Sequence, residues 1–303
     1  MNLRVVVVWW LVCALWSSTF LFIKLGLGEI PPLTFAWVRL AIALTVLAPL
    51  AVASRATWRL GAWDVAHVCI AGVLLLGLNY GLVFWGSQFV PSGLVAILQS
   101  GTPVLALGFG WLLGSEAVTG RKLLAVALGV GGVATIFGAQ ATESNRMAVV
   151  GAASVLAGSV CVAFAYVWLK THGQHLLRTS VTALQSLAGL IPLAALGLAL
   201  EGVPQPGHWS ITTWTALLYL GLLASVAAFW LNYWLLAHMD TSAMLMMGVA
   251  EVPIAVALGA IVFGERLPPG TLLGATFVLG GVLATLTGQS VTADRQHWRP
   301  RRG

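Results

Sequence analysis

Apolar runs of about twenty residues, recurring with almost nothing between them, constrain this chain more than any other feature. There are ten, near residues 5–24, 33–53, 64–86, 92–114, 121–139, 148–169, 180–200, 211–236, 242–263 and 269–288. A helix satisfies its own backbone polar groups, so about 20 apolar residues suffice to cross a bilayer. Only 8% of the 303 residues are charged, against roughly a quarter in a soluble domain. An all-α integral membrane protein is predicted. The segments between the runs are too short for an extramembrane catalytic or receptor domain.

The formal charge of +6 is not read as a nucleic-acid footprint, because the basic residues sit between apolar runs. With the N-terminus in the cytoplasm, the inside segments hold Arg4, Arg55, Arg59, Arg121, Lys122, Lys170, Arg178, Arg295, Arg299, Arg301 and Arg302. The outside holds only Lys24, Arg146 and Arg266. That asymmetry predicts both termini in the cytoplasm, with residues 289–303 a polar basic tail lying against anionic lipid. The first run is long, aromatic and lacks a small-x-small cleavage site before Lys24, so it reads as a retained helix and not a signal peptide. Cys13, Cys69 and Cys161 lie within runs, without Cys or His partners at metal spacing, and read as small packing residues.

The two halves of the chain resemble each other. Pro91-Ser92-Gly93 and the run after it align with Thr241-Ser242-Ala243 and the run after that, Pro103 falling on Pro253 and Gly114 on Gly264. Past a one-residue gap at Ser115, Glu116 falls on Glu265 and Gly131-Gly132-Val133 on Gly280-Gly281-Val282. Lys24 corresponds to Lys170, Arg39 to Gln185, and Asn79-Tyr80 recurs as Asn232-Tyr233 one turn out of register. Each copy holds five helices, an odd number, so the second enters the membrane from the opposite side. The predicted organisation is a first five-helix repeat over 1–139, a connecting loop over 140–147 (QATESNRM) and a second, inverted five-helix repeat over 148–288. Inverted repeats around a central cavity can exchange conformations, which is the physical basis of alternating access.

Ionisable and polar groups inside the runs are the candidates for function. Glu251 leads, because its run carries a carboxylate near its midpoint; Pro253 beside it has the counterpart Pro103, but the counterpart of Glu251 is Gly101. A scaffold role should occur twice in such a pair, and this carboxylate occurs once. Arg39 lies about one and a half turns into the second run and either snorkels outward or turns inward, a pair with Glu251 being left open. Asn79, Tyr80, Gln99, Tyr166, Asn232 and Tyr233 either bond neighbouring helices or face a shared wet cavity, and as a set the cavity is preferred. Trp16 belongs to the polar run Trp16-Ser17-Ser18-Thr19-Phe20 and joins the set, whereas Trp58, Trp63, Trp209 and Trp214 sit where an interfacial belt is expected. Glu116 and Glu265 follow helix ends, and are expected to hold backbone N–H groups of the following helix or a nearby basic residue.

Other motifs carry little. Gly129 to Ala134 has the spacing of a dinucleotide loop but lies inside a run with no strand before it, and His172 with His175 lacks a third metal ligand. The chain carries no zinc-protease motif, no nucleophile elbow and no Walker lysine. A transporter is favoured over an enzyme, with no cofactor. Small glycine spacings such as Gly77 and Gly81, or Gly270 and Gly274, predict close helix contacts.

Trp16-Ser17-Ser18-Thr19-Phe20 with Lys24, Pro31-Pro32 with Val38-Arg39, Pro103 and Pro253, and Gly114-Ser115-Glu116 beside Gly264-Glu265-Arg266-Leu267 together resemble the ten-helix EamA branch of the drug/metabolite transporter superfamily, over about residues 8–288. Ser17 stands where the family has glycine, and Ser115 interrupts the first Gly-Glu pair. The resemblance implies an exporter of small metabolites in the bacterial inner membrane, with helices 1–4 and 6–9 around a central cavity, helices 5 and 10 outside it, and the proton gradient as energy source. It implies that Glu251 alternates between proton and substrate. The expected partners are a small-molecule substrate and the lipid bilayer, no nucleic acid, and the protein is expected as a monomer or homodimer. Amino acids or related amphipathic metabolites are the expected cargo; aromatic or cationic toxic compounds are the alternative, and an intramembrane lipid-modifying enzyme a more distant one.

Overall fold

The computed structural model describes residues 3–54, 61–114, 119–142, 146–172, 179–236, 238–239 and 247–296. Ser115, Glu116, His175, Thr241 to Met246 and the 297–303 end lie outside the described residues, as does the side chain of Tyr233. The described residues fold as α1 (Leu3–Gly26), α2 (Pro32–Ser54), α3 (Ala62–Gly86), α4 (Ser92–Leu112), α5 (Gly120–Thr142), α6 (Arg146–His172), α7 (Thr179–Leu200), α8 (Ile211–Leu218, Tyr219–Ala227 and Ala228–Leu236), α9 (Met247–Phe263) and α10 (Pro269–Gln296). Eight are long and apolar enough to cross a membrane; Met247–Phe263 and Pro269–Ala284 are apolar but shorter. Pro32 and Pro269 open their helices, where a missing N–H costs nothing.

Three helix ends differ from expectation. α10 continues to Gln296 instead of ending near 288, because nothing from Gln289 to Gln296 breaks a helix before Pro300. α5 reaches Thr142 and α6 starts at Arg146, which shortens the predicted polar loop.

Glycines set the helix contacts. α5 and α10 run antiparallel: a Cβ on Gly132 would stand 2.7 Å from the Gly274 carbonyl and 2.8 Å from the Val278 nitrogen, and one on Gly281 2.7 Å from the Ala125 carbonyl and 3.1 Å from the Gly129 nitrogen. Shifting one pair by the repeat offset yields the other, so the contact has a local two-fold. A second such exchange fixes the register of α3 and α8. Gly72 presses on the backbone of Gln185 in α7, and Gly221 on Ile42 and the Arg39 carbonyl in α2. Arg39 and Gln185 are thus true counterparts, and so are Gly72 and Gly221. Both α3 and α8 contain a π-helical stretch, Val73–Leu78 and Tyr219–Ala227. Such stretches open the i→i−4 ladder and free backbone groups for other partners.

The matched prolines Pro103 and Pro253 have different effects: α4 is interrupted at Gly101 between Ser92–Ser100 and Thr102–Leu112. α9 is continuous through Pro253. The difference follows from the residue two places earlier, since Glu251 is a better helix former than Gly101. Both α4 and α9 end at a glycine with φ 65°, Gly114 and Gly264, the left-handed termination that glycine adopts without a Cβ clash.

At the face where α1 ends, three loop carboxylates cap helices distant in sequence. Glu201, after α7, accepts the N–H groups of Leu33 and Thr34 at 3.0 and 2.6 Å, at the start of α2. Glu29, before α2, accepts the Ser210 N–H at 2.9 Å and the Thr213 hydroxyl at 2.7 Å, at the start of α8. These bonds hold the Glu29 carboxyl below its usual range, the Ser210 backbone N–H first among them. Glu265, after α9, accepts the Ser92 N–H at 2.9 Å and its hydroxyl at 2.7 Å, and pairs with Lys24. The basic partner expected for Glu265 is present. The N–H it holds belongs to α4 and not to the helix that follows, because the helix dipole and free N–H groups of α4 open onto the same corner.

Candidate functional site

Trp16, Arg39, Asn79, Tyr80, Gln99 and Glu251 come together around one cavity of about 190 Å³, walled otherwise by Thr19, Phe20, Ile23, Val83, Phe84, Ala224 and Phe229. α1, α2, α3, α4, α8 and α9 each contribute. Asn79, Tyr80, Gln99 and Phe229 also line an adjoining chamber of about 270 Å³, which continues past Ser225, Tyr166, Gln185 and Ser186 toward Thr182 and Leu47. That direction is the face where α2 ends and α7 begins. The described side chains of α5 and α10 line neither chamber. A crevice of about 330 Å³ between α3, α6 and α7 is almost wholly apolar. Its one hydroxyl, Ser154, donates to the Leu82 carbonyl, so it offers no chemistry.

Arg39 turns inward and does not snorkel. It is 4% exposed, its guanidinium carbon 4.6 Å from the Tyr80 ring centroid and 5.9 Å from that of Phe84. Among the described residues its one hydrogen bond is a long one, from Nη2 to the Ser225 hydroxyl at 3.3 Å, and its Nε has no partner there. No carboxylate among the described residues pairs with it. A lone charge inside a membrane-spanning helix is costly, and a desolvated cation–π contact offsets about 2 kcal/mol of that. The balance leaves this guanidinium short of an anion.

Glu251 stands in the same wall, partly exposed to the cavity, and makes no hydrogen bond or ion pair with a described residue. The pair with Arg39 left open by the sequence does not form. The cavity therefore carries one uncompensated cation and one uncompensated carboxyl group on aromatic walls. Trp16 is fixed by its indole N–H, 3.3 Å from the Ala224 carbonyl in the π-helical stretch of α8. Asn79 is 6% exposed, donates to the Leu75 carbonyl at 3.2 Å, and keeps its carbonyl oxygen without a partner.

The remaining candidates separate. Tyr166 lines the adjoining chamber and not the central one, and is 54% exposed. Asn232 lines neither chamber. Its dipeptide repeats Asn79-Tyr80, but the register set by Gly72 and Gly221 places Ala228 opposite Asn79. Ser225, Phe229, Gln185 and Ser186 were not among the candidates. Ser225 donates to the Leu220 carbonyl at 2.8 Å, five residues back, while accepting from Arg39. Only the π-helical geometry of α8 puts it there, and no local sequence signal announces that geometry. Gln185 was detectable as the repeat counterpart of Arg39.

Comparison with known proteins bears on the chemistry this cavity serves. The chain matches the EamA-like transporter family twice, over residues 4–138 and 149–287. It is 25% identical to the uncharacterized transporter YoaV of Bacillus subtilis, over 89% of this chain and 92% of that protein. It is 27% identical to a probable amino-acid metabolite efflux pump of Salmonella typhimurium, over 92% of this chain and 93% of that one. It is 28% identical to the uncharacterized inner membrane transporter YedA of Escherichia coli, over 84% and 81%. A solved crystal structure at 18% identity superposes with a TM-score of 0.62, over 94% of this chain and 97% of that chain, and shares the fold.

Proposed function

The chain belongs to the EamA-like transporter family, and from that premise we propose that it is a proton-coupled exporter of amino acids or related small amphipathic metabolites. In this reading ten helices span the bacterial inner membrane as two inverted five-helix repeats, 1–139 and 148–288, with both termini in the cytoplasm. The protein moves its solute unchanged and needs no cofactor. The observation that carries the reading is Glu251, an unpaired carboxyl group in the wall of the central cavity. A buried lone carboxylate is costly until a proton or a cation neutralises it. A group that must hold one or the other exchanges them, and exchange across alternating access is antiport. The name of the Salmonella typhimurium relative supports amino-acid metabolites as cargo.

Purified protein in sealed proteoliposomes tests this. An imposed proton gradient is expected to drive uptake of radiolabelled amino acid by the wild type, and Glu251→Gln to abolish the gradient dependence; equal gradient dependence in the two would sink the assignment. Export of aromatic cations is a second reading, favoured by Trp16, Phe20, Tyr80, Phe84 and Phe229 around the cavity. A quaternary aromatic amine that competes where amino acids do not would select it. A lipid-modifying enzyme would instead leave a covalently changed product in the vesicles.

A further inference from the structure

Arg39 is the group in the cavity whose surroundings ask for something that the chain does not supply. Its guanidinium carbon lies over the Tyr80 ring at 4.6 Å and over that of Phe84 at 5.9 Å, and among the described residues the group is held by a single long bond to Ser225. The Nε is buried and unpartnered. Buried guanidinium groups are normally matched by a carboxylate or phosphate in a planar, two-pronged contact. Glu251 shares the cavity and yet forms no ion pair with Arg39. The repeat counterpart of Arg39 is the neutral Gln185, so the charge is not part of the duplicated scaffold.

We propose that Arg39 is the specificity-determining residue of the central cavity, binding the carboxylate of a substrate whose cationic or apolar remainder lies toward Glu251 and the aromatic wall. The proposal rests on the transport reading above and narrows it to carboxylate-bearing solutes. A fork of N–H donors over an aromatic face accepts a planar anion and offers nothing to an amide or an amine in its place. The Ser225 hydroxyl, fixed by its own bond to the Leu220 carbonyl, holds Nη2, and the Nε has no partner among the described residues.

The test compares L-leucine and L-phenylalanine with their amides and with the chain-matched acids isocaproate and phenylpropionate. Binding to the purified full chain in detergent is read as thermal stabilisation, and uptake is read in proteoliposomes. The wild type is expected to prefer acid over amide by on the order of 100-fold, Arg39→Lys to retain part of that preference, and Arg39→Gln to lose it. The acid-against-amide comparison needs only the wild type, so a poorly folded variant does not block it. Wild-type protein that takes acid and amide equally overturns the proposal, as does undiminished preference in Arg39→Gln. If amino acids fail to bind while isocaproate or phenylpropionate binds in an Arg39-dependent way, the carboxylate site stands and the amino-acid reading falls. If no carboxylate binds, the site falls. Uptake that depends on chloride and ignores the carboxylate would assign the guanidinium to an inorganic anion, which also overturns it.

Discussion

Lys24 and Glu265 meet at 2.5 Å, Nζ to Oε1, 241 positions apart in sequence, and the same carboxylate holds the first N–H of α4 through Ser92. One side chain therefore ties the end of α1, the start of α4 and the α9–α10 connection together at one face. Replacing Glu265 by alanine removes an ion pair and charge-assisted bonds at once, each bond worth about 1.5–3 kcal/mol. Glu265→Ala is expected to lower the thermal midpoint in detergent clearly, Glu265→Gln less, since its amide oxygen still accepts from Ser92. A midpoint unchanged in Glu265→Ala would mean that the three elements are held elsewhere.

The same carboxylate sets a pH limit. Burial alone pushes the Glu265 carboxyl up, but the Lys24 and Ser92 contacts outweigh it and hold it below its usual value. A depressed carboxyl contributes stability that is present above the unfolded value, about 4.3, and lost as pH falls through the folded one. Stability is expected to hold through neutral pH and to decline in acid. The acid limb should be shallower in Glu265→Gln than in the wild type, as read by thermal melts from pH 7 to pH 3.

Gly259 admits that carboxylate. A Cβ there would stand 2.6 Å from the Ser92 hydroxyl and closer still to Glu265. Glycine to alanine in a helix ordinarily stabilises by about 0.4–1 kcal/mol, and here the sign is expected to reverse. Gly259→Ala should behave like Glu265→Ala in the melt, and the two together should cost little more than either alone.

A parallel contrast tests the α5–α10 contact. Gly132→Ala would press a methyl group onto the Gly274 and Val278 backbone, whereas a Cβ on neighbouring Gly131 meets nothing within 4 Å. Overpacking against backbone costs about 1–3 kcal/mol. Gly132→Ala should lower the melting midpoint and Gly131→Ala leave it unchanged or raise it. Equal effects would place the helix contact on another face.

What could be read in advance depended on whether the signal was local. Apolar length located the helices, and the Pro103–Pro253 and Gly114–Gly264 pairs located the duplication, because proline and glycine mark backbone geometry directly. Glu251 and Arg39 stood out because ionisable groups are rare at that depth. Ser225 and the π-helical stretches were invisible, since they arise from packing of α8 against α2 and have no residue signature of their own. The Asn-Tyr repeat reads one turn out of register, and close approach of Gly72 and Gly221 to facing backbones sets that register, with Ala228 opposite Asn79.

Asn79 and Asn232 therefore make a matched experiment. Asn79 lines both chambers, and its free carbonyl oxygen lies 2.8 Å from where a Cβ on Gly158 of α6 would stand. Asn232, on a half-buried face of α8, lines neither. Asn79→Ala removes a buried, unsatisfied polar group from the wall that both chambers share, and is expected to reduce transport at least 10-fold, about 1.4 kcal/mol, with little loss of folded protein. Gly158→Ala should reproduce part of that loss by displacing the amide, although Gly158 touches no solute. Asn232→Ala is expected to leave the transport rate within about 2-fold of wild type. Uptake measured on the three variants at matched protein amounts separates the two asparagines; a defect in Asn232→Ala as deep as in Asn79→Ala would mean that both serve the solute.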